Sequence, residues 1–229
     1  MAWTKTCAGL SVALAVSLAA PANAQSVSEA LNVLGTSLSV PSSTGAWSVK
    51  LTSCVATFNG VAAASCGNES MVASVSGSVL SLVLEGTNNG TGGTNFLYNT
   101  GTGGQTDLSL NLVVTAPSGN EIYLASNSLS ASSTPSGNNY VVSTEQFTSP
   151  VENILHVGLA QSLSQSTVFS PITNSINANT DTLAGLGGVA VTVPTVTLTY
   201  NAPEPVSSSL FAVGLAGLGY VRRKTRRAG

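Results

Sequence analysis

The sequence predicts a mainly β protein, a single antiparallel β-sandwich-like domain with one short helix. Three observations predict it. Apolar and polar residues alternate over short runs, the signature of half-buried strands. Gly, Asn, Ser and Pro interrupt these runs densely and evenly, as turns do in a sandwich. The 229 residues are 43% apolar but only 7% charged and 5% aromatic, where an average soluble domain carries about 25% charged residues. Hydroxyls and amides take the place of ions on such a surface. A chain this apolar with so little net charge does not have the composition of a disordered one.

Taken in order, residues 1–24 read MAWTKTCAGLSVALAVSLAAPANA. Lys5 is a positive leader, residues 8–20 form a short apolar run, and Ala22-Asn23-Ala24 is an A-x-A cleavage site. This predicts a secretory signal peptide cut before Gln25. Cys7 precedes the apolar run and would leave with it. Residues 25–202 follow as one extracytoplasmic domain, with no linker dividing it. Residues 46–58 alternate clearly, with Trp47, Val49, Leu51 and Ser53 on one face and Ser48, Lys50 and Thr52 on the other. Residues 78–84 are the strand VLSLVL and its lead-in. Residues 107–115 place Leu108, Leu110 and Leu112 opposite Ser109 and Asn111. Further strands are expected at 121–127, 139–147 and 189–200. Residues 86–107, GTNNGTGGTNFLYNTGTGGQTD, read as a long connection.

One stretch reads two ways. Ser149-Pro150-Val151-Glu152 has the form of a capping box with proline at the first helical position. Val151, Ile154, Leu155, Leu159 and Leu163 then recur near helical spacing. Yet Leu155, Val157, Leu159, Gln161 and Leu163 also alternate with other residues. The reading leans to a helix over 150–165, with a strand left open. Residues 170–188 look irregular.

Cys54 and Cys66 are the two cysteines left after processing. Outside the cytoplasm such a pair is expected to form a disulfide, worth about 3 kcal/mol for a loop of this size. Within 25–202, Lys50 is the one basic residue against eight acids. That excludes nucleic-acid binding, which needs clustered cations for phosphates. It also excludes oxyanion or phosphate clamps built from several cations. His156 is the single histidine. It could join a serine with Asp107 or Asp181 as a triad, but it sits among apolar residues and no G-x-S-x-G surrounds a serine. It is read as structural. The acids form no local pair for glycoside hydrolysis, and two cysteines with a distant histidine make no metal set. No catalytic residue, metal or cofactor is expected, and the chain reads as a non-enzyme. Residues 86–107 lack the lysine of a phosphate loop and the repeated aspartates of a calcium repeat. Beside the plain connection stands a sharper reading, in which Phe96 and Tyr98 stack on sugar rings while Asn88, Asn89 and Asn95 bond the hydroxyls.

The end of the chain carries the most specific motif. Pro203, Glu204 and Pro205 precede a mostly apolar run over 206–221 that contains GLAGLGYV. Arg222, Arg223, Lys224, Arg226 and Arg227 then crowd into six positions. The apolar run is short for a span, which wants about 20 residues, but the basic cluster can snorkel and would stay on the cytoplasmic side. The two prolines hold an extended peptide just outside the membrane. These three parts, in this order, resemble a PEP-CTERM sorting tail over 203–229. The resemblance implies a Gram-negative bacterium that makes extracellular polysaccharide. It implies recognition at Pro203, Glu204 and Pro205 by an exosortase-type membrane protease. The precursor would be held transiently in the inner membrane, and the mature form would sit at the cell surface or in the matrix.

The expectation is therefore an exported surface or matrix protein with a structural or adhesive body, associated with exopolysaccharide or biofilm. The alternative is a carbohydrate-binding module that retains exopolysaccharide. A polysaccharide hydrolase comes third.

Overall fold

The computed structural model describes residues 26–31, 34–63, 66, 69–86, 96–100, 104–134, 141–149, 153–158, 162–185 and 190–202. The signal peptide and the sorting tail expected from sequence lie outside the described residues. The strands in chain order are β1 (Ser26–Ala30), β2 (Ser37–Ser42), β3 (Gly45–Phe58), β4 (Val61–Ala62), β5 (Glu69–Ser76), β6 (Val79–Gly86) and β7 (Leu97–Thr100). They continue as β8 (Thr106–Thr115), β9 (Ile122–Thr134), β10 (Val141–Ser149), β11 (Asn153–Gly158), β12 (Ser164–Thr173), β13 (Ser175–Ala184) and β14 (Ala190–Asn201).

Two seven-stranded antiparallel sheets pack face to face. Sheet A runs β1-β5-β6-β14-β9-β12 with β7 also on β14, and sheet B runs β11-β10-β13-β8-β3-β2 with β4 on β3. The chain changes sheet repeatedly, so most pairings join residues far apart in sequence. The core lies between the sheets. Leu80, Leu82 and Leu84 of β6 and Val196, Leu198 and Tyr200 of β14 enter it from sheet A. Trp47, Val49 and Leu51 of β3 and Leu108, Leu110 and Leu112 of β8 enter from sheet B. The alternation read over 46–51, 79–84 and 107–115 is this division into inner and outer faces. The Asn59-Gly60 turn joining β3 to β4 has φ of 50° and 80°, the left-handed pair that a two-residue hairpin requires.

Ser53 departs from the expected face. Leu51 pairs with Leu112 but Ser53 pairs with Asn111, so Thr52 is an extra residue in β3. A bulge of this kind reverses the parity of every residue after it. Ser53 therefore joins the outer face, where its hydroxyl accepts a bond from Asn111 Nδ2. Cys54 pairs with Leu110 and Ala56 becomes buried while Val55 is exposed. The parity change is what turns Cys54 towards the interior. There it forms a disulfide with Cys66, Cα to Cα 6.0 Å, which ties β3 of sheet B to the segment leading into β5 of sheet A.

The helix expected over 150–165 is not formed. Asn153–Gly158 is β11, paired residue by residue with β10, and Ser164–Thr173 is β12, paired with β9. Leu155 and Val157 are buried, while Ile154 and Leu163 stand exposed. A helix would have had to bury a different set, and the period-two pattern won because β10 offered an edge to pair with. The irregular reading of 170–188 is also corrected, since Ser175–Ala184 is β13, at the centre of sheet B. Its inward residues are Ile176, Ala178, Thr180, Thr182 and Ala184. Small and hydroxylated side chains on the buried face leave little apolar contrast to read.

Gly158 faces Val142 across the β10–β11 pair. A Cβ there would lie 2.6 Å from the Val141 carbonyl oxygen, a clash with backbone. Gly158→Ala is expected to cost about 1–3 kcal/mol through strain, read as a lower urea midpoint with an unchanged slope.

Candidate functional site

The residues singled out in the sequence do not assemble into one site. Phe96 is fully buried in the core, its backbone N–H bonded to the Pro194 carbonyl at 3.0 Å. Its ring is closed to a sugar, which corrects the expectation that it stacks on one. The reason is that β7 pairs with β14, which draws the start of that strand into the sandwich. Tyr98 belongs to β7 by its backbone. Its side chain, Asn88, Asn89, Asn95 and the sorting residues 203–205 and 222–227 lie outside the described residues.

His156 lies on the outer face of sheet B, exposed, with Nδ1 3.1 Å from Thr144 Oγ1. Its backbone N–H donates to Gln165 Oε1 at 2.7 Å, and Asn153 Nδ2 donates to Thr167 Oγ1. These bonds join the edge strand of sheet B to that of sheet A. Asp181 stands on the far side of Thr144 in the same row, two strand spacings or about 10 Å from His156. The carboxylate thus does not orient the imidazole, and no triad forms from them. Asp181 instead bonds Asp107 on β8. Burial first, then the neighbouring Asp107 charge and that bond, push its carboxyl up to about 6. Among the described residues there is no group of three or more His, Cys, Asp or Glu that could hold a metal ion.

What the outer face of sheet B does present is a shallow concavity of about 380 Å³. Four adjacent strands line it with Thr148 from β10, Asn177 from β13, Asn111 and Val113 from β8, and Thr52 from β3. It lies between two bulges, the one at Thr52 in β3 and another between Phe147 and Ser149 in β10. Bulges bend their strands and raise the local twist, and two of them on flanking strands give a flat sheet a trough.

The polar groups of the trough are partly pre-ordered. Asn179 Nδ2 donates to Asn111 Oδ1 at 2.9 Å, and Thr52 Oγ1 donates to the Asn111 carbonyl at 3.1 Å. The lining is four amide or hydroxyl side chains together with the apolar residues Leu112, Val113 and Ala178, and none is charged. Lys50 stands opposite Val113 at one end and the Asp107–Asp181 pair lies towards the other. An uncharged trough with fixed amides suits a neutral, hydroxyl-rich ligand, because amides both donate to and accept from vicinal hydroxyls. Sequence reasoning singled out none of Thr52, Asn111, Thr148 and Asn177 as site residues. The signal available was polar parity on the outer faces, but the bulges that gather these residues carry no motif.

No family model matches the chain, and no curated protein matches it. A solved structure to which it is similar is that of TmCBM61 in complex with β-1,4-galactotriose. The match has 10% identity, covers 66% of this chain and 86% of that one, and gives a TM-score of 0.26. So low a score gives no basis for carrying ligand or residue roles across.

Proposed function

We propose that the chain is an exported protein of the cell surface or extracellular matrix whose β-sandwich is structural or adhesive and retains neutral exopolysaccharide. The uncharged trough on sheet B is the observation that carries the retention. Its four polar side chains, Thr52, Asn111, Thr148 and Asn177, offer hydrogen bonds without ions, and the disulfide suits an oxidising compartment. The route there rests on the sequence. The tail would hold a membrane-anchored precursor until an exosortase-type protease cuts it at Pro203, Glu204 and Pro205, releasing or attaching the body.

Two experiments in the native host separate these claims. The double variant Thr148→Val/Asn177→Val keeps β-forming residues at two exposed positions and removes two hydrogen-bonding groups. At about 1 kcal/mol each, retention of the mature protein on the host's own polysaccharide is expected to weaken at least tenfold. Equal retention would remove the trough from the account. Deleting residues 203–229 is expected to shift the protein out of the surface or matrix fraction, and an unaltered distribution would end the sorting claim.

A further inference from the structure

A second polar feature lies inside the sandwich, where the trough's ligand could not reach. Glu145 of β10 points into the core with no exposed surface. Tyr200 of β14, in the opposite sheet, donates its hydroxyl to Glu145 Oε1 at 2.6 Å. Asn127 of β9, also in sheet A, donates from Nδ2 to Ser143 Oγ of β10 at 3.2 Å. Ser143 Oγ lies in turn 3.0 Å from Thr182 Oγ1 of β13. Both side-chain bonds that cross between the sheets here land on β10, two residues apart on its inner face. All of these side chains are buried.

The cluster is not complete. Glu145 Oε2, Asn127 Oδ1 and Thr180 Oγ1 are buried without hydrogen-bond partners, and Thr180 is directly opposite Glu145 on β13. Tyr200 already serves one carboxyl oxygen. A proton on the other gives the cluster a donor it otherwise lacks, in a place where the unpartnered acceptors are Thr180 Oγ1, opposite Glu145 in the ladder, and Asn127 Oδ1. Without the proton, the carboxylate can take a bond from the Thr180 hydroxyl but offers the Asn127 amide oxygen nothing, and among the described residues no cation balances its charge. The groups facing it are Tyr200 from β14, Asn127 from β9, and Thr180, Thr182 and Ser143 within sheet B, with Leu155 of β11 paired on its other side. Tyr200 is the one other titratable group among them. An unbalanced charge in such a place costs far more than the neutral acid.

We propose that this cluster is a proton-operated latch: with a proton on Glu145 it clamps β9 and β14 of sheet A onto β10, and loss of that proton to solvent loosens the β10–β11 edge of the sandwich. Burial drives the carboxyl up to about 8, opposed in part by the Tyr200 bond. The same burial, with Glu145 beside it, holds the Tyr200 phenol well above its usual range. Tyr200 thus stays a donor while Glu145 titrates. The edge concerned carries His156 and lies next to Thr148 of the trough, so opening would disturb the surface that faces outward.

The test is amide hydrogen exchange on the intact protein, expressed as protection factors, between pH 6 and pH 9. In the native sequence the β10 and β11 amides are expected to lose at least tenfold protection relative to β6 as pH rises from 6, in a transition that levels off near pH 8, because the carboxyl ionises at lower pH when the edge is open than when it is closed. Glu145→Gln is expected to abolish the transition. Tyr200→Phe, which removes the bond favouring the charged form, is expected to move it to higher pH. Protection that is flat with pH in the native chain, or a transition kept in Glu145→Gln, overturns the latch. If Glu145→Gln does not fold, a loss of protection that levels off at the same pH in Tyr200→Phe as in the native chain does the same. Loosening confined to β5 would instead belong to Glu69 and would also overturn it.

Discussion

Removing the Cys54–Cys66 disulfide is expected to lower stability by about 3 kcal/mol. The cysteines are 12 positions apart, and closing a loop of that size in the unfolded chain removes entropy worth about that much. The bridge does more than close a short loop, because it fixes the point where the chain leaves sheet B for sheet A. Cys54→Ser, Cys66→Ser and the double variant should therefore be destabilised alike, with a melting temperature lower by roughly 10 °C for a domain of this size. Reductant should move the native protein to the same value and leave the double variant unchanged. Melts that coincide with and without reductant would mean the bridge contributes nothing. Deleting Thr52 tests the bulge apart from the bridge: it leaves Leu51 directly before Ser53, so Ser53 still faces outward and Cys54 still faces inward opposite Leu110, and the disulfide should form as before.

Glu69 is expected to make the protein less stable as pH rises from about 5 to 8. It begins β5, is 1% exposed, and neither carboxyl oxygen has a hydrogen-bond partner. Burial pushes its carboxyl from 4.5 up to about 7. Its own backbone N–H, which makes no well-formed bond to it, offsets only part of that. Below pH 4.5 the group holds its proton folded or unfolded, and it does not affect the balance. Between 4.5 and about 7 the unfolded chain releases the proton while the folded one retains it, so each pH unit favours unfolding. Above about 7 both forms are ionised and the cost is complete, about 3 kcal/mol for a shift of this size. Urea unfolding of the native chain and of Glu69→Gln should show a stability gap that widens by about that amount, in favour of Gln, between pH 4.5 and pH 8. The slope due to Glu145 is common to both proteins and cancels. Parallel curves would show that water reaches the carboxyl.

Where inner and outer residues differ strongly in polarity, the sequence was enough. Leu80, Leu82 and Leu84, and again Leu108, Leu110 and Leu112, fall on the buried face that their alternation predicts. The reading failed where that contrast was weak or ambiguous. β13 hides its threonines and alanines inside and shows Asn177, Asn179 and Asp181 outside, so neither face looks apolar. The run over 150–165 fits two periods, and its capping box is a local preference that pairing with β10 overrode. Phe96 was misplaced because aromatic residues beside a glycine-rich segment look like a surface, until β14 is known to be their neighbour.

The sequence by itself determined that this is a charge-poor, antiparallel β protein, that Cys54 and Cys66 pair, and that clustered cations play no part in its body. These are properties of composition and of spacing along one chain. Only the tertiary structure decided that Thr52 reverses the parity of β3, that two bulges carve a trough from four strands, and that Glu145 meets Tyr200 across the core. Those depend on register between segments as far apart as Thr52 and Asn177. Register is set by how both sheets pack at once, and no single segment carries that information.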